Sequence, residues 1–164
     1  MIRLGKDAWS GLRQITEDKK AVRRALAKLT DGAFNPRWRG PNTLDLGAIA
    51  KGFAVDLAAQ AVANETKTGD LLLDLGGNLK AVRGDWTVGV KDGETFLLRE
   101  GEACATRARY YCGDHIKDGR TGADVANGVY SVTVIHPTSA MLADGLSTVL
   151  FILGREKGMS FVKK

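Results

Sequence analysis

The 164-residue sequence predicts a single α+β domain in which helices flank an antiparallel-leaning sheet. Three observations lead there. Residues 46 to 63 are Ala-rich, with Ile49, Phe53 and Leu57 four apart, which is helical spacing. Trp86, Val88 and Val90 alternate with polar or small residues ahead of Asp92-Gly93, a strand and hairpin signature. Past Pro137-Thr138-Ser139, Leu142, Leu146, Val149, Leu150 and Leu153 share one face of a final helix.

In chain order, Trp9, Leu12 and Ile15 begin an apolar stripe that Ala21, Val22, Ala25, Leu26 and Leu29 continue. Thr30-Asp31-Gly32 stops this N-terminal helical segment, residues 1–30 of the domain. Residues 33 to 44 hold two of the three prolines and read as a loop. The 46–63 helix follows. Leu71 to Leu75 reads as a buried strand ended by Gly76-Gly77-Asn78. Strands at Trp86 to Val90 and Thr95 to Arg99 come next, then one within 103 to 111. Residues 113 to 128 are polar and Gly-rich, a loop. Val129 to Ile135 is a strand by its β-branched content. The last helix closes at Gly154.

Composition excludes several classes. Hydrophobic residues make up 44% and charged residues 26%, ordinary for a globule, and no apolar run suits a membrane span. Met1 to Lys6 lack a signal-peptide pattern, so a cytoplasmic location is expected. Cys104 and Cys112 cannot form a disulfide scaffold. Two free thiols is the reading, with one bridge as the alternative. The formal net charge of +5 arises in residues 1 to 39, which hold ten basic and four acidic side chains. A solvated helix face accounts for that excess more simply than an anionic partner. No nucleic-acid module is visible, so no nucleic-acid partner is expected.

Four segments could carry chemistry. Asp45 to Gly52 puts glycine and Lys51 at a helix start, where backbone N–H groups and the helix dipole favour an anion. The P-loop spacing is not there, and a plain helix start is the bland alternative. Asp74-Leu75-Gly76-Gly77-Asn78 leaves room for a ligand against the backbone, or is a simple turn. His115 to Gly122 gathers a histidine, carboxylate, arginine and hydroxyl in one loop, with a solvated loop as the alternative. His136, at a strand end beside Pro137, reads as structural. Asp144 and Thr148, one turn apart, could both reach a hard cation such as Mg²⁺, or form the polar face of an amphipathic helix.

In this order the segments DLGAIAKGFAVD, LLLDLGGNLKAVRGDWTVGV, the His-to-RTG loop and ADGLSTVLFILG resemble the ApbE family, the FAD:protein FMN transferases, over roughly residues 30 to 158. The resemblance implies a T-fold-like architecture, here in a shortened form lacking the N-terminal part. It also implies Mg²⁺-dependent transfer of FMN from FAD onto a threonine of an acceptor flavoprotein. By it, Asp144 and Thr148 are metal ligands with a backbone carbonyl near Ala48. Lys51, Gly76, Gly77 and Asn78 contact the diphosphate and flavin, and Arg120 and Thr121 match the loop ending of the family pattern. His115 is the catalytic histidine. A flavin binder without transferase activity and a Mg²⁺-dependent FAD pyrophosphatase are the alternatives. A homodimer is one way to complete a shortened pocket. The loop reads HIKDGRTG where the family reads HIIDPRTG, and glycine for proline enlarges the unfolded ensemble. Replacement of Asp144 by Asn is expected to weaken Mg²⁺-assisted FAD binding while changing folding stability by no more than about 1 kcal/mol, as for a surface substitution.

Overall fold

The computed structural model describes residues 2–3, 24, 26–28, 30–43, 45–65, 68–91, 94–109 and 116–162. The expected N-terminal helix therefore lies outside the described residues except at 24 and 26–28, which are helical. Its predicted stop holds. Asp31 and Gly32 take positive φ of 50° and 76°, and the Thr30 and Gly32 N–H groups donate to the Leu26 and Ala27 carbonyls.

A five-stranded sheet runs in the order β1 (Ile2–Arg3), β7 (Ser131–His136), β6 (Ala103–Ala108), β3 (Asn78–Arg83), β2 (Leu71–Asp74). Its pairs are antiparallel apart from β1 with β7, which is parallel. β4 (Trp86–Gly89) and β5 (Thr95–Leu98) form a separate antiparallel ribbon. Beside the helical residues 24 and 26–28 stand two helices, α1 (Ala50–Glu65) and α2 (Ala140–Val162).

Alternation along the strands sorts the two faces. On β6 and β7, Ala105 and Val134 join Met141, Leu142, Leu146, Val149 and Leu150 of α2 and Ile49 in one core. Their neighbours Cys104 and Ile135 point the other way, onto Phe96, Leu98, Trp86 and Val88 of the ribbon. The sheet thus separates a helical layer from a two-stranded one.

Several expectations shift. Asp45 accepts the Gly47 N–H at 2.9 Å and starts a turn whose Ile49 and Ala50 N–H groups both donate to the Leu46 carbonyl. The helix expected from residue 46 forms from Ala50. Its buried side runs through Gly52, Val55 and Ala59, so Leu57 is 50% exposed instead of continuing a stripe. β2 is an edge strand, half-buried where a fully buried one was expected. Gly154, with φ 77° and ψ 177°, does break the last helix, but a second stretch continues to Val162. Asn127 Nδ2 donates to the Phe151 and Ile152 carbonyls there, at 2.6 and 3.2 Å. The amphipathic reading of α2 fails. Every residue from Ala140 to Ile152 is buried, because sheet, α1 and the 116–125 loop enclose the helix together.

Candidate functional site

The site is assembled where α1 and α2 cross. A Cβ on Gly52 would lie 2.2 Å from the Ala140 carbonyl oxygen and 2.7 Å from the Met141 Cα, so only glycine permits this approach. The contact lets the Gly52 N–H donate to Asp144 Oδ2 at 3.1 Å. Asp144 is 1% exposed. Its other carboxylate oxygen accepts from Arg107 Nη2 on β6 at 2.6 Å. The Asn78 amide, oriented by its neighbours, donates to Asp144 Oδ1 at 3.3 Å and accepts from Lys51 Nζ at 3.3 Å. Lys51 Nζ also donates to the Gly76 carbonyl at 3.3 Å. Gly76 and Gly77 take φ of 58° and 84°, a β2–β3 turn open to glycine, and the Gly77 N–H donates to Asp74 at 3.0 Å. One turn along α2, the Thr148 hydroxyl donates to the Asp144 carbonyl at 3.4 Å.

Two hollows meet at Arg107. The larger, about 530 Å³, lies between sheet and ribbon and is lined by Lys51, Gly76, Gly77, Arg107, Cys104 and Phe96. The smaller, about 170 Å³, is lined by Ala48, Thr148, Arg107, Trp38, Asp45 and Ile116. Lys51, Lys91 and Arg107 outweigh Asp74 in its lining, which makes the larger one suited to an anion.

Electrostatics differ among the carboxylates. Burial pushes the Asp144 carboxyl above its ordinary value, and the Arg107 charge, the Gly52 N–H and the Lys51 charge only partly oppose it. Asp45 goes the other way. The Gly47 N–H holds it below the ordinary range against partial burial, helped by the Trp38 indole and by Arg39. The Cys104 thiol is pushed up to about 12, chiefly by burial, and stays neutral in the cleft wall.

Of the residues singled out by sequence, Lys51, Gly76, Gly77, Asn78, Asp144 and Thr148 come together, with Ala48 across the smaller hollow. Arg120 and Thr121 lie elsewhere. The Arg120 guanidinium forks onto Asp118, with Nε 2.9 Å from Oδ1 and Nη2 2.5 Å from Oδ2, and it lines a separate hollow with Thr30, Asp31 and Lys157. Thr121 Oγ1 accepts the Ala123 N–H at 3.2 Å. His115 lies outside the described residues. His136 is buried, and its Nδ1 accepts the Thr138 and Ser139 N–H groups at the start of α2.

Sequence reasoning missed Arg107. A signal existed: Ala103, Ala105 and Arg107 occupy one phase of a strand, so a charge falls in register with inward alanines. Among the described residues no cluster of three or more His, Cys, Asp or Glu could hold a metal ion. A cation here would rest on one carboxylate and neutral oxygens.

Residues 7–164 match the ApbE family profile. The chain belongs to the ApbE family. The FAD:protein FMN transferase of Haemophilus influenzae is 29% identical to this ApbE chain, covering 97% of it and 49% of the relative. That of Klebsiella pneumoniae is 35% identical over 74% of this chain and 42% of its own length. The chain spans about half or less of these relatives. The fold is that of the apo Pseudomonas stutzeri flavinyl transferase ApbE, with TM-score 0.73 at 23% identity over 93% of this chain and 65% of that one. The T-fold-like ApbE architecture expected from sequence is therefore the one observed. Among the described residues, no helix of this ApbE chain is long and apolar enough to cross a membrane.

Proposed function

We propose that this chain transfers FMN from FAD onto a threonine of an acceptor flavoprotein, with Mg²⁺ as cofactor. The observation that carries the reading is the convergence of Lys51, the Gly76-Gly77 turn, Asn78 and Arg107 around Asp144 at the edge of the larger cleft. In this reading the threonine hydroxyl attacks the FMN phosphorus. A new P–O bond forms, the bond to the AMP phosphate breaks, and AMP leaves. Lys51 and the Gly76-Gly77 turn bind and orient the diphosphate, and His115 takes the hydroxyl proton.

The residues present fit a hard divalent cation. Asp144 offers a charged oxygen and Thr148 a hydroxyl. The Gly52 N–H, the ordinary helical partner of the Ala48 carbonyl, is turned to Asp144. Ala48, Asp144 and Thr148 would hold the ion, whose contribution is to neutralise charge on the transferring phosphoryl group. Arg120 and Thr121 lie apart from this cleft, and no contact with the diphosphate or flavin is proposed for them.

The test is an in-gel assay. Purified chain, FAD, Mg²⁺ and an acceptor protein should give a flavin-fluorescent acceptor band under denaturing conditions. EDTA should remove the band. His115→Ala should abolish it while leaving FAD binding intact. FMN and AMP released without acceptor would replace transfer by pyrophosphatase activity. FAD binding with neither product would leave a flavin-binding module.

A further inference from the structure

We propose that Arg107 is a resident counter-ion that occupies the cation position on Asp144, so that a divalent ion enters only by displacing the guanidinium into the larger cleft, where it becomes a phosphate-binding group. This rests on the cation-site reading of Asp144.

Four observations carry it. Arg107 Nη2 lies 2.6 Å from Asp144 Oδ1, and the two side chains are 13% and 2% exposed. A cation bound to that oxygen cannot share the position with a guanidinium nitrogen at contact distance. The second carboxylate oxygen already accepts the Gly52 N–H at 3.1 Å, so an incoming ion meets a carboxylate with a donor on each oxygen. The attachment of Arg107 is one-sided: its Nε is buried with no hydrogen-bond partner, unlike the fork Arg120 makes with Asp118. Arg107 also lines both hollows, so the move that frees Asp144 carries its charge toward Lys51, Lys91 and the Gly76-Gly77 turn.

The consequence is a coupling between metal and anion. Loading a dication while Arg107 and Lys51 remain nearby raises the positive charge around one carboxylate, which is unfavourable without an incoming anion. A diphosphate in the larger cleft gives the displaced guanidinium a partner of matching fork geometry. Metal and diphosphate should therefore strengthen each other's binding.

The experiment measures Mg²⁺ binding by calorimetry, without FAD, on wild type, Arg107→Ser, Arg107→Gln and Arg107→Lys. Wild type should bind weakly. The serine and glutamine variants should bind about tenfold more tightly or better, because a competing charge at contact distance is gone. Arg107→Lys should stay weak. Inorganic pyrophosphate should tighten Mg²⁺ binding to wild type and do so less in Arg107→Gln. Arg107→Gln keeps a donor for Asp144, so it serves where the serine variant does not fold, and circular dichroism checks each. Equal, tight Mg²⁺ binding by wild type and the Arg107 variants would overturn the competition while leaving the cation site standing. No Mg²⁺ binding by any variant would overturn both.

Discussion

A carboxylate 1% exposed between helix and sheet is held by what donates to it. Asp144 receives Arg107, the Gly52 N–H and Asn78, and losing its charge leaves a buried guanidinium without its counter-ion. Asp144→Asn should therefore cost about 3 kcal/mol of stability. A metal-free denaturant melt checks it, and a loss below about 1 kcal/mol would return Asp144 to the surface class that sequence alone suggested. Asp45 and Asp118 add a pH dependence of their own. Both are held below the ordinary value of 3.8, Asp45 first by the Gly47 N–H and Asp118 first by Arg120. Their stabilisation is complete above that value and is lost as pH falls through the depressed one. Asp45→Asn should lower stability near neutral pH by roughly 1 kcal/mol, and the deficit should shrink on acidification. Chemical melts across the acid range read the difference, and a deficit independent of pH would contradict the assignment.

Between elements, Asp56 of α1 ties the helices together. Its carboxylate accepts the Ser139 hydroxyl at 2.9 Å, the Ala140 and Met141 N–H groups at 3.0 Å, and Lys80 Nζ at 3.0 Å. This caps α2 from a different helix one turn before Asp144. Asp56→Ala should cost about 2 kcal/mol, the upper end for a lost cap, while Ser139→Ala costs less. Gly52→Ala should be harsher, about 3 kcal/mol, because its Cβ meets α2 backbone that cannot yield like a side chain. Thermal melts rank the three, and a Gly52→Ala protein as stable as wild type would contradict the crossing geometry. These contacts explain what sequence could reveal. Asp92-Gly93, the Val129–Ile135 run and the Gly154 break are local signals, and each marked an element or its end within a few residues. Gly52 and Asp144 are 92 positions apart, and Asp56 and Met141 are 85 apart. Periodicity has no access to such partners. It therefore gave α2 a solvent face it does not have, and left Arg107 unnoticed beside a carboxylate 37 positions on. Gly76, Gly77 and Lys51 were legible because a glycine pair and a helix start are themselves local.

At the scale of the molecule, the sheet divides labour. Its helical face buries Asp144 and the α1–α2 crossing, and its ribbon face with β4 and β5 walls the larger cleft. Lys51, the Gly76-Gly77 turn and Arg107 stand at the seam, so an anion in the cleft would meet the buried carboxylate's partners directly. This chain spans about half the length of its Haemophilus influenzae relative, yet all these groups lie within it. We propose that they suffice to move FMN. The most direct measurement is intact-mass spectrometry of an acceptor protein incubated with this chain, FAD and Mg²⁺. The expected product is an acceptor heavier by one FMN less a water, with the adduct on a threonine and AMP in solution. An unmodified acceptor beside intact FAD, with the chain folded by circular dichroism, would contradict it.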